Sequence, residues 1–439
     1  MSDLGRVERA VRPLWGRVQA PADKSITHRA LLLAAVAQGR SRIRRPSPAG
    51  DCQATLGVLR ALGVPLEADD GGAALLIEGQ GLRGLREPTD ALDCVRSGTT
   101  MRLLAGLLAG QPGLFLLRGD AQLVRRPMGR VVQPLRVMGA RLWGRGGDRY
   151  PPLAVLGGPL DGAVHQLPLA SAQVKSCLLL AGLLAEGRTA VHSPAESRDH
   201  TERMLASMGA PLAVDGLTAS LDGPAEALSP LDLAVPGDFS SAAFLAAAAA
   251  LVPGSQVTVA EVGLNPTRLG LLDVLEQMGV PVAVANPRLA GGEPVGDLTV
   301  GWGALQGMEV AGPLIPRLID ELPVLAVVAT QAQGETLVRD AEELRHKESD
   351  RIAVTVQELR KLGGQIEERP DGFVVFGPTP LSGAVVQSHG DHRLAMALAV
   401  AGLVAQGETL IDGFGCTADS FPGFPDLLAQ LCQPAGERP

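Results

Sequence analysis

The stretch MRLLAGLLAGQPGLFLLRG, Met101 to Gly119, holds a small fold unit in one line. Its first half is rich in Leu and Ala, which favour a helix. Gly113 then breaks the run, and LFLLR follows as a short strand. The same order of helix, Gly-containing turn and alternating strand recurs five more times. The copies are HRALLLAAVAQGRSRIR from His28, KSCLLLAGLLAEGRTAVHS from Lys175, SAAFLAAAAALVPGSQVTVAEV from Ser241, LPVLAVVATQAQGETLVRD from Leu322 and LAMALAVAGLVAQGETLIDG from Leu394. Their turn glycines are Gly39, Gly113, Gly187, Gly254, Gly334 and Gly407, separated by 74, 74, 67, 80 and 73 residues by subtraction. A second helix recurs between them and ends at Gly63, Gly139, Gly209, Gly279 and Gly363, as in LRALGV and LEQMGV. A fixed period of this kind sets the architecture before any single motif does.

Composition agrees with repeated small α/β units. Of 439 residues, 46% are hydrophobic but only 3% aromatic, so Leu, Val and Ala must build the cores. The length predicts two or more domains. Three repeats per half place the boundary near LAVPGDFSS, Leu233 to Ser241, where Pro-Gly-Asp separates a strand from the next helix. The strand in RPLWGRVQAP precedes the first repeat and is expected to cross to the other half. The expected domains are therefore 21–238, and 1–20 together with 239–439. The closing residues, QPAGERP, are the one segment that reads as disordered.

Five cysteines (Cys52, Cys94, Cys177, Cys416 and Cys432) show neither a CxxC pair nor metal spacing. They read as reduced thiols of a cytoplasmic protein. MSDLGRVERAVRPLWG lacks an apolar signal core. The longest apolar run, Phe244 to Val252, is far shorter than the ~20 residues that span a bilayer. No membrane partner is expected. A net charge of −8, one Tyr and three Trp argue against nucleic acid. GWGALQG, Gly301 to Gly307, is not a dinucleotide fingerprint, since its spacing is GxGxxxG and no helix follows it.

The charged residues collect just before the apolar runs, in DKSITHR, RSGTTMR, SAQVKS, GDFSS, LIDE and GDHR. These are helix N-termini, whose unpaired N–H groups and partial positive charge attract anions. Lysine usage points to the same places. The chain has four lysines against 35 arginines, and Lys24, Lys175 and Lys347 all sit in such motifs. In DKSITHRA, Ser25 and Arg29 share one helical face, and Lys24 and His28 the next. RSGTTMRL offers Gly98 for close backbone approach. RRPMGR sets three arginines, Arg126 among them, around a proline bend. SAQVKS and SRDHTERM add groups suited to a polyol. In LIDELP, Asp320 reads as either a cap or a general base. RHKESDR is the densest ionic cluster, with Lys347, Glu348 and Arg351. GDHRLAM puts Arg393 at the sixth helix start.

Taken together, DKSITHRA, SGTTMRLLAG, RRPMG, SAQVKS, SRDHTERML, IPRLIDELPVLAV, LRHKESDRI and GDHRLAMA closely resemble the 3-phosphoshikimate 1-carboxyvinyltransferase (5-enolpyruvylshikimate-3-phosphate synthase) family. The motifs run in the family's order from about residue 20 to 425, and SRDHTERML is similar to its bacterial class II subgroup. The resemblance implies an α/β fold of two domains, each of three βαβαββ repeats, an inside-out α/β barrel of the enolpyruvyl transferase type. The site would lie in a cleft that anionic substrates close. The implied reaction moves the enolpyruvyl group of phosphoenolpyruvate to the 5-hydroxyl of shikimate 3-phosphate and releases phosphate, on the route to chorismate and the aromatic amino acids.

By the same resemblance, shikimate 3-phosphate is bound by Lys24, Ser25, Arg29, Ser171, Ala172, Gln173, Ser197, Arg198, Asp320 and Lys347. Phosphoenolpyruvate is bound by Lys24, Gly98, Arg126, Gln173, Arg351 and Arg393. Asp320, Glu348 and Lys24 are the implied catalytic groups, with Asp320 taking the hydroxyl proton and Glu348 protonating the methylene carbon. No metal or organic cofactor is expected, and the chain is expected to act as a monomer. The two substrates carry roughly five to six negative charges, against six cations: Lys24, Arg29, Arg126, Lys347, Arg351 and Arg393. The chain departs from the pattern at Arg96, where many members have Asn, and at Asp419, where others have Lys.

Three other readings compete. A UDP-N-acetylglucosamine enolpyruvyl transferase would begin with Lys-Asn and carry a loop Cys. Here the pair is Lys24-Ser25, and Arg125 to Arg130 holds no Cys. An RNA-terminal phosphate cyclase-like protein conflicts with the acidic charge. A catalytically dead anion-binding module conflicts with the intact Asp320 and Glu348.

Overall fold

The computed structural model describes residues 3–433, so most of the QPAGERP segment lies outside the described residues. The chain forms two compact units. One comprises Ala22–Pro236 with Leu289–Glu293. The other takes the described residues up to Pro21, Gly237–Arg288 and those from Pro294 on.

Each apolar run of the sequence is a buried helix. In the first unit these are Lys24–Val36, Gly98–Ala109 and Ala172–Gly182. In the second they are Phe239–Leu251, Leu322–Thr330 and His392–Gly402. All thirteen residues of Phe239–Leu251 are buried, which its Ala-rich composition permits. Each unit has its own apolar core around its three helices. Small residues let the helices approach closely. A Cβ added at Gly106 would stand 2.0 Å from the Cys177 carbonyl oxygen, so that contact between two helices requires glycine.

Every helix is followed by the strand its turn glycine predicts. The six turn glycines have φ between 73° and 126°, which an L side chain avoids. The complete repeat is visible at Leu92–Gly157. There Leu92–Asp93 pairs in parallel with Gly113–Arg118, which pairs antiparallel with Tyr150–Gly157, and Arg141–Gly144 forms the edge. Gly113–Arg118 alternates inward and outward residues, so one face of the sheet meets the helices.

Two repeats take their leading strand from a distant part of the chain. The first borrows Asp232–Ala234, which runs parallel to Gln38–Arg44. The fourth borrows Trp15–Gln19, from the RPLWGRVQAP segment, which runs parallel to Gln256–Gly263. The sixth sheet has three strands and is completed by Leu4–Glu8 against Glu408–Asp412.

Candidate active site

Within the first unit the three buried helices bring their N-termini together. Asp23, Ser97 and Ser171 cap them, accepting from the backbone N–H of Ile26, Thr100 and Val174. Gln173 Nε2 donates to Thr99 Oγ1 at 2.9 Å, and Arg102 donates to Gln173 Oε1, so the third helix start is tied to the second. Arg29 ties the first to the third. Its Nη2 donates to Ser176 Oγ at 2.9 Å and its Nε to Thr201 Oγ1 at 2.7 Å, while Nη1 reaches the Ser25 carbonyl at 3.0 Å. Burial lowers the Arg29 guanidinium to about 10, with Glu202 opposing the shift and Arg198 adding to it. At that value it stays charged at neutral pH.

Around this junction lie the other expected residues of the unit. Lys24 Nζ is 3.0 Å from Asp51 Oδ2. The Arg126 guanidinium lies over Gly98, where an added Cβ would sit 3.1 Å from Arg126 Nη1 and 3.3 Å from Arg102 Nη1. Ser197 is buried, and its hydroxyl has no hydrogen-bond partner among the described residues. Arg198 follows it and is half-buried.

The second unit repeats the arrangement with acidic residues at the helix starts, of which Asp238 and Asp391 cap with their side chains. Asp238, Glu321 and Asp391 stand at the N-caps of Phe239–Leu251, Leu322–Thr330 and His392–Gly402. Each faces an arginine: Arg268 Nη2 is 3.3 Å from Asp238, Arg393 Nη1 is 3.8 Å from Glu321, and Arg351 Nε is 2.7 Å from Asp391. Ser240 bridges two of them, donating to Glu321 Oε1 and accepting from Arg268.

Asp320 gathers the expected cations of this unit. Arg351 Nη1 donates to its Oδ1 at 3.1 Å, Lys347 Nζ stands 3.7 Å from the same oxygen, and Arg393 Nη2 is 3.8 Å from Oδ2. Glu321, not Asp320, stands at the N-cap position of Leu322–Thr330, and that helix start shows no side-chain cap hydrogen bond, so of the two sequence readings the cap is excluded. Partial burial pushes the Lys347 ammonium below the ordinary lysine value, while Asp320 pulls the other way.

Arg351 is 1% exposed, at the first position of the helix Arg351–Lys361. Its Nη2 donates to Glu348 Oε2 at 2.7 Å and to Asp391 Oδ1 at 3.2 Å. Burial alone would lower this guanidinium, but the carboxylates of Asp391, Glu348 and Asp320 hold it well above the ordinary arginine value. The same contact acts on Asp391: burial works against its ionisation, and Arg351 overrides that and holds the carboxyl below the usual range.

Several residues of these clusters were not singled out from the sequence. Arg102, Thr201, Glu202, Glu321 and Asp391 all lie inside the quoted motifs. For Asp391 a signal existed, since an Asp directly before a helix is a preferred cap. Arg96 lies 3.8 Å from Asp120, half-exposed, and Asp419 ends the turn Phe414–Asp419.

These units of three βαβαββ repeats, with charged groups at converging helix starts, define an enolpyruvyl transferase-type fold. The enolpyruvyl transferase NikO from Streptomyces tendae superposes with a TM-score of 0.80 over 98% of both chains at 19% identity. The chain itself belongs to the EPSP synthase (3-phosphoshikimate 1-carboxyvinyltransferase) family, whose sequence model matches residues 9–428. It is 52% identical to a 3-phosphoshikimate 1-carboxyvinyltransferase of Desulforamulus reducens over 96% of this chain and 98% of that one. EPSP synthase from Acinetobacter baumannii is 39% identical, with a TM-score of 0.88 over 98% of both chains.

Proposed function

We propose that this chain transfers the enolpyruvyl group of phosphoenolpyruvate to the 5-hydroxyl of shikimate 3-phosphate, with release of phosphate. The observation that carries the reading is Asp320, a carboxylate 8% exposed with Lys347, Arg351 and Arg393 all within 3.8 Å. Three cations face that carboxylate, which is placed as a proton acceptor must be, beside the groups that would hold the anions. Membership of the family supplies the substrates.

In this reading Lys24, Ser25, Arg29, Ser171, Ala172, Gln173, Ser197 and Arg198 hold shikimate 3-phosphate, with Asp320 and Lys347. Arg29 suits a phosphate because its Nε and one N–H on each terminal nitrogen are already fixed, which leaves a pre-aimed pair for the anion. Lys24, Gly98, Arg126, Gln173, Arg351 and Arg393 hold phosphoenolpyruvate. Asp320 takes the proton of the 5-hydroxyl as its oxygen attacks C2 of the enolpyruvyl group. Glu348 delivers a proton to the methylene carbon. Loss of a proton from that carbon and departure of phosphate then restore the enol ether.

Glu348 is bound to Arg351 Nη2. The free thiols, three of them buried, suit a cytoplasmic enzyme, and a monomer suffices for the assigned groups.

The test is phosphate release from phosphoenolpyruvate, with shikimate 3-phosphate and UDP-N-acetylglucosamine as parallel acceptors. Release with shikimate 3-phosphate alone is expected. Release with the nucleotide sugar, or with neither, refutes the assignment.

A further inference from the structure

Lys175 is the lysine of the helix-start motifs to which the proposed chemistry gives no task. It is 6% exposed, one turn into Ala172–Gly182. Its Nζ lies 2.5 Å from Glu202 Oε1 and donates to the backbone carbonyl of Ser197 at 3.3 Å. Glu202 is 5% exposed, and its other oxygen is buried with no hydrogen-bond partner among the described residues.

The neighbours of this pair perform a second task. Ser176 and Thr201, each next in sequence to one member, hydrogen-bond each other at 2.7 Å and accept from Arg29 Nη2 and Nε. Two adjacent residues from each of two helices thus grip two things. Ser176 and Thr201 grip the Arg29 guanidinium, while Lys175, held by Glu202, grips the segment that carries Ser197 and Arg198.

We propose that the Lys175–Glu202 pair is a positioning device for the phosphate-bearing substrate: it fixes the Ser197–Arg198 segment relative to Arg29 and so sets affinity for shikimate 3-phosphate without touching it. The inference rests on the assignment of Arg29, Ser197 and Arg198 to that substrate. A buried ion pair that served only to balance charge could be replaced by neutral groups at little cost. Lys175 makes a further bond to a loop carbonyl, and its loss releases the loop whatever becomes of the charge. The Ser197 hydroxyl, buried and without a partner among the described residues, is the group whose aim depends on that bond.

The test uses Lys175→Met, Glu202→Gln and the double variant in the full chain. Shikimate 3-phosphate binding is read by calorimetry, and KM and kcat for both substrates are measured. Lys175→Met leaves the Glu202 charge buried without its partner and is expected to lower Tm. The double variant removes both charges and is expected to recover Tm.

The double variant is also expected to bind shikimate 3-phosphate roughly ten-fold more weakly, with KM for phosphoenolpyruvate and kcat within about two-fold of the parent. A double variant that binds shikimate 3-phosphate as the parent does overturns the inference, because the pair then only balances charge. So does a parallel rise in both KM values. A parent chain that binds no shikimate 3-phosphate overturns the underlying reading, and this inference with it.

Discussion

Arg351 and Asp391 meet through two hydrogen bonds, Nε to Oδ2 at 2.7 Å and Nη2 to Oδ1 at 3.2 Å, on side chains 1% and 0% exposed. Asp391 also accepts from Ser349 Oγ and from the Arg393 backbone N–H, so one carboxylate orients three parts of the cluster. Replacing it by Asn keeps the shape and removes the charge. Breaking a buried pair in this way costs about 3–5 kcal/mol. Asp391→Asn is expected to lose about that much in urea unfolding, and to raise KM for phosphoenolpyruvate more than KM for shikimate 3-phosphate.

That pair also predicts an acid limb. A carboxyl held below its unfolded value, about 3.9, binds fewer protons in the folded chain than in the unfolded one. Its contribution is therefore complete above that value and disappears as pH falls through the lower folded value. Asp391→Asn should flatten the wild-type loss of stability below about pH 4. An unchanged slope would show that other carboxyls carry it.

His28 acts at higher pH. It is buried with Nδ1 2.7 Å from Thr55 Oγ1, and burial lowers it to about 4. The unfolded chain binds a proton there near pH 6.5 and the folded chain does not. The stability from this site is full above pH 6.5 and is lost as pH falls toward 4. Between those values the loss is about 3 kcal/mol. His28→Asn should remove that part of the Tm decline between pH 7 and pH 4.5, measured by calorimetry.

Asp320→Asn tests the base. The amide keeps a hydrogen-bonding oxygen near Arg351 and loses the proton acceptor. Turnover is expected to fall by about 10²–10⁴-fold, with shikimate 3-phosphate still bound in calorimetry. A fall in binding as large as the fall in kcat would assign Asp320 to binding alone.

Gly98→Ala tests the roof over the second helix start. Its Cβ would press on the ends of Arg126 and Arg102 at 3.1 and 3.3 Å, and both tips are able to move. The fold should survive with Tm nearly unchanged, while KM for phosphoenolpyruvate rises several-fold, on the order of 1 kcal/mol. KM for shikimate 3-phosphate should change less.

The period of the glycines was legible because a turn needing positive φ leaves its mark locally, at Gly39 and Gly113 as at Gly407. The chemistry at the helix starts was legible for the same reason. Cap residues and anion-attracting N–H groups depend on a few consecutive residues. Lys175 shows the limit: its motif was visible, but its partner Glu202 and the Ser197 carbonyl were not.

What the sequence determined by itself was the repeat, the α/β alternation and the set of charged groups at helix starts, all written in patterns a few residues long. The tertiary structure alone decided which of those groups meet. Arg29 finds Thr201 across 172 residues, and Arg351 finds Asp391 across 40. Those pairings are set by how three helices converge within each unit and by the burial that makes a partner obligatory for a charge, and neither quantity is carried by any one stretch of chain.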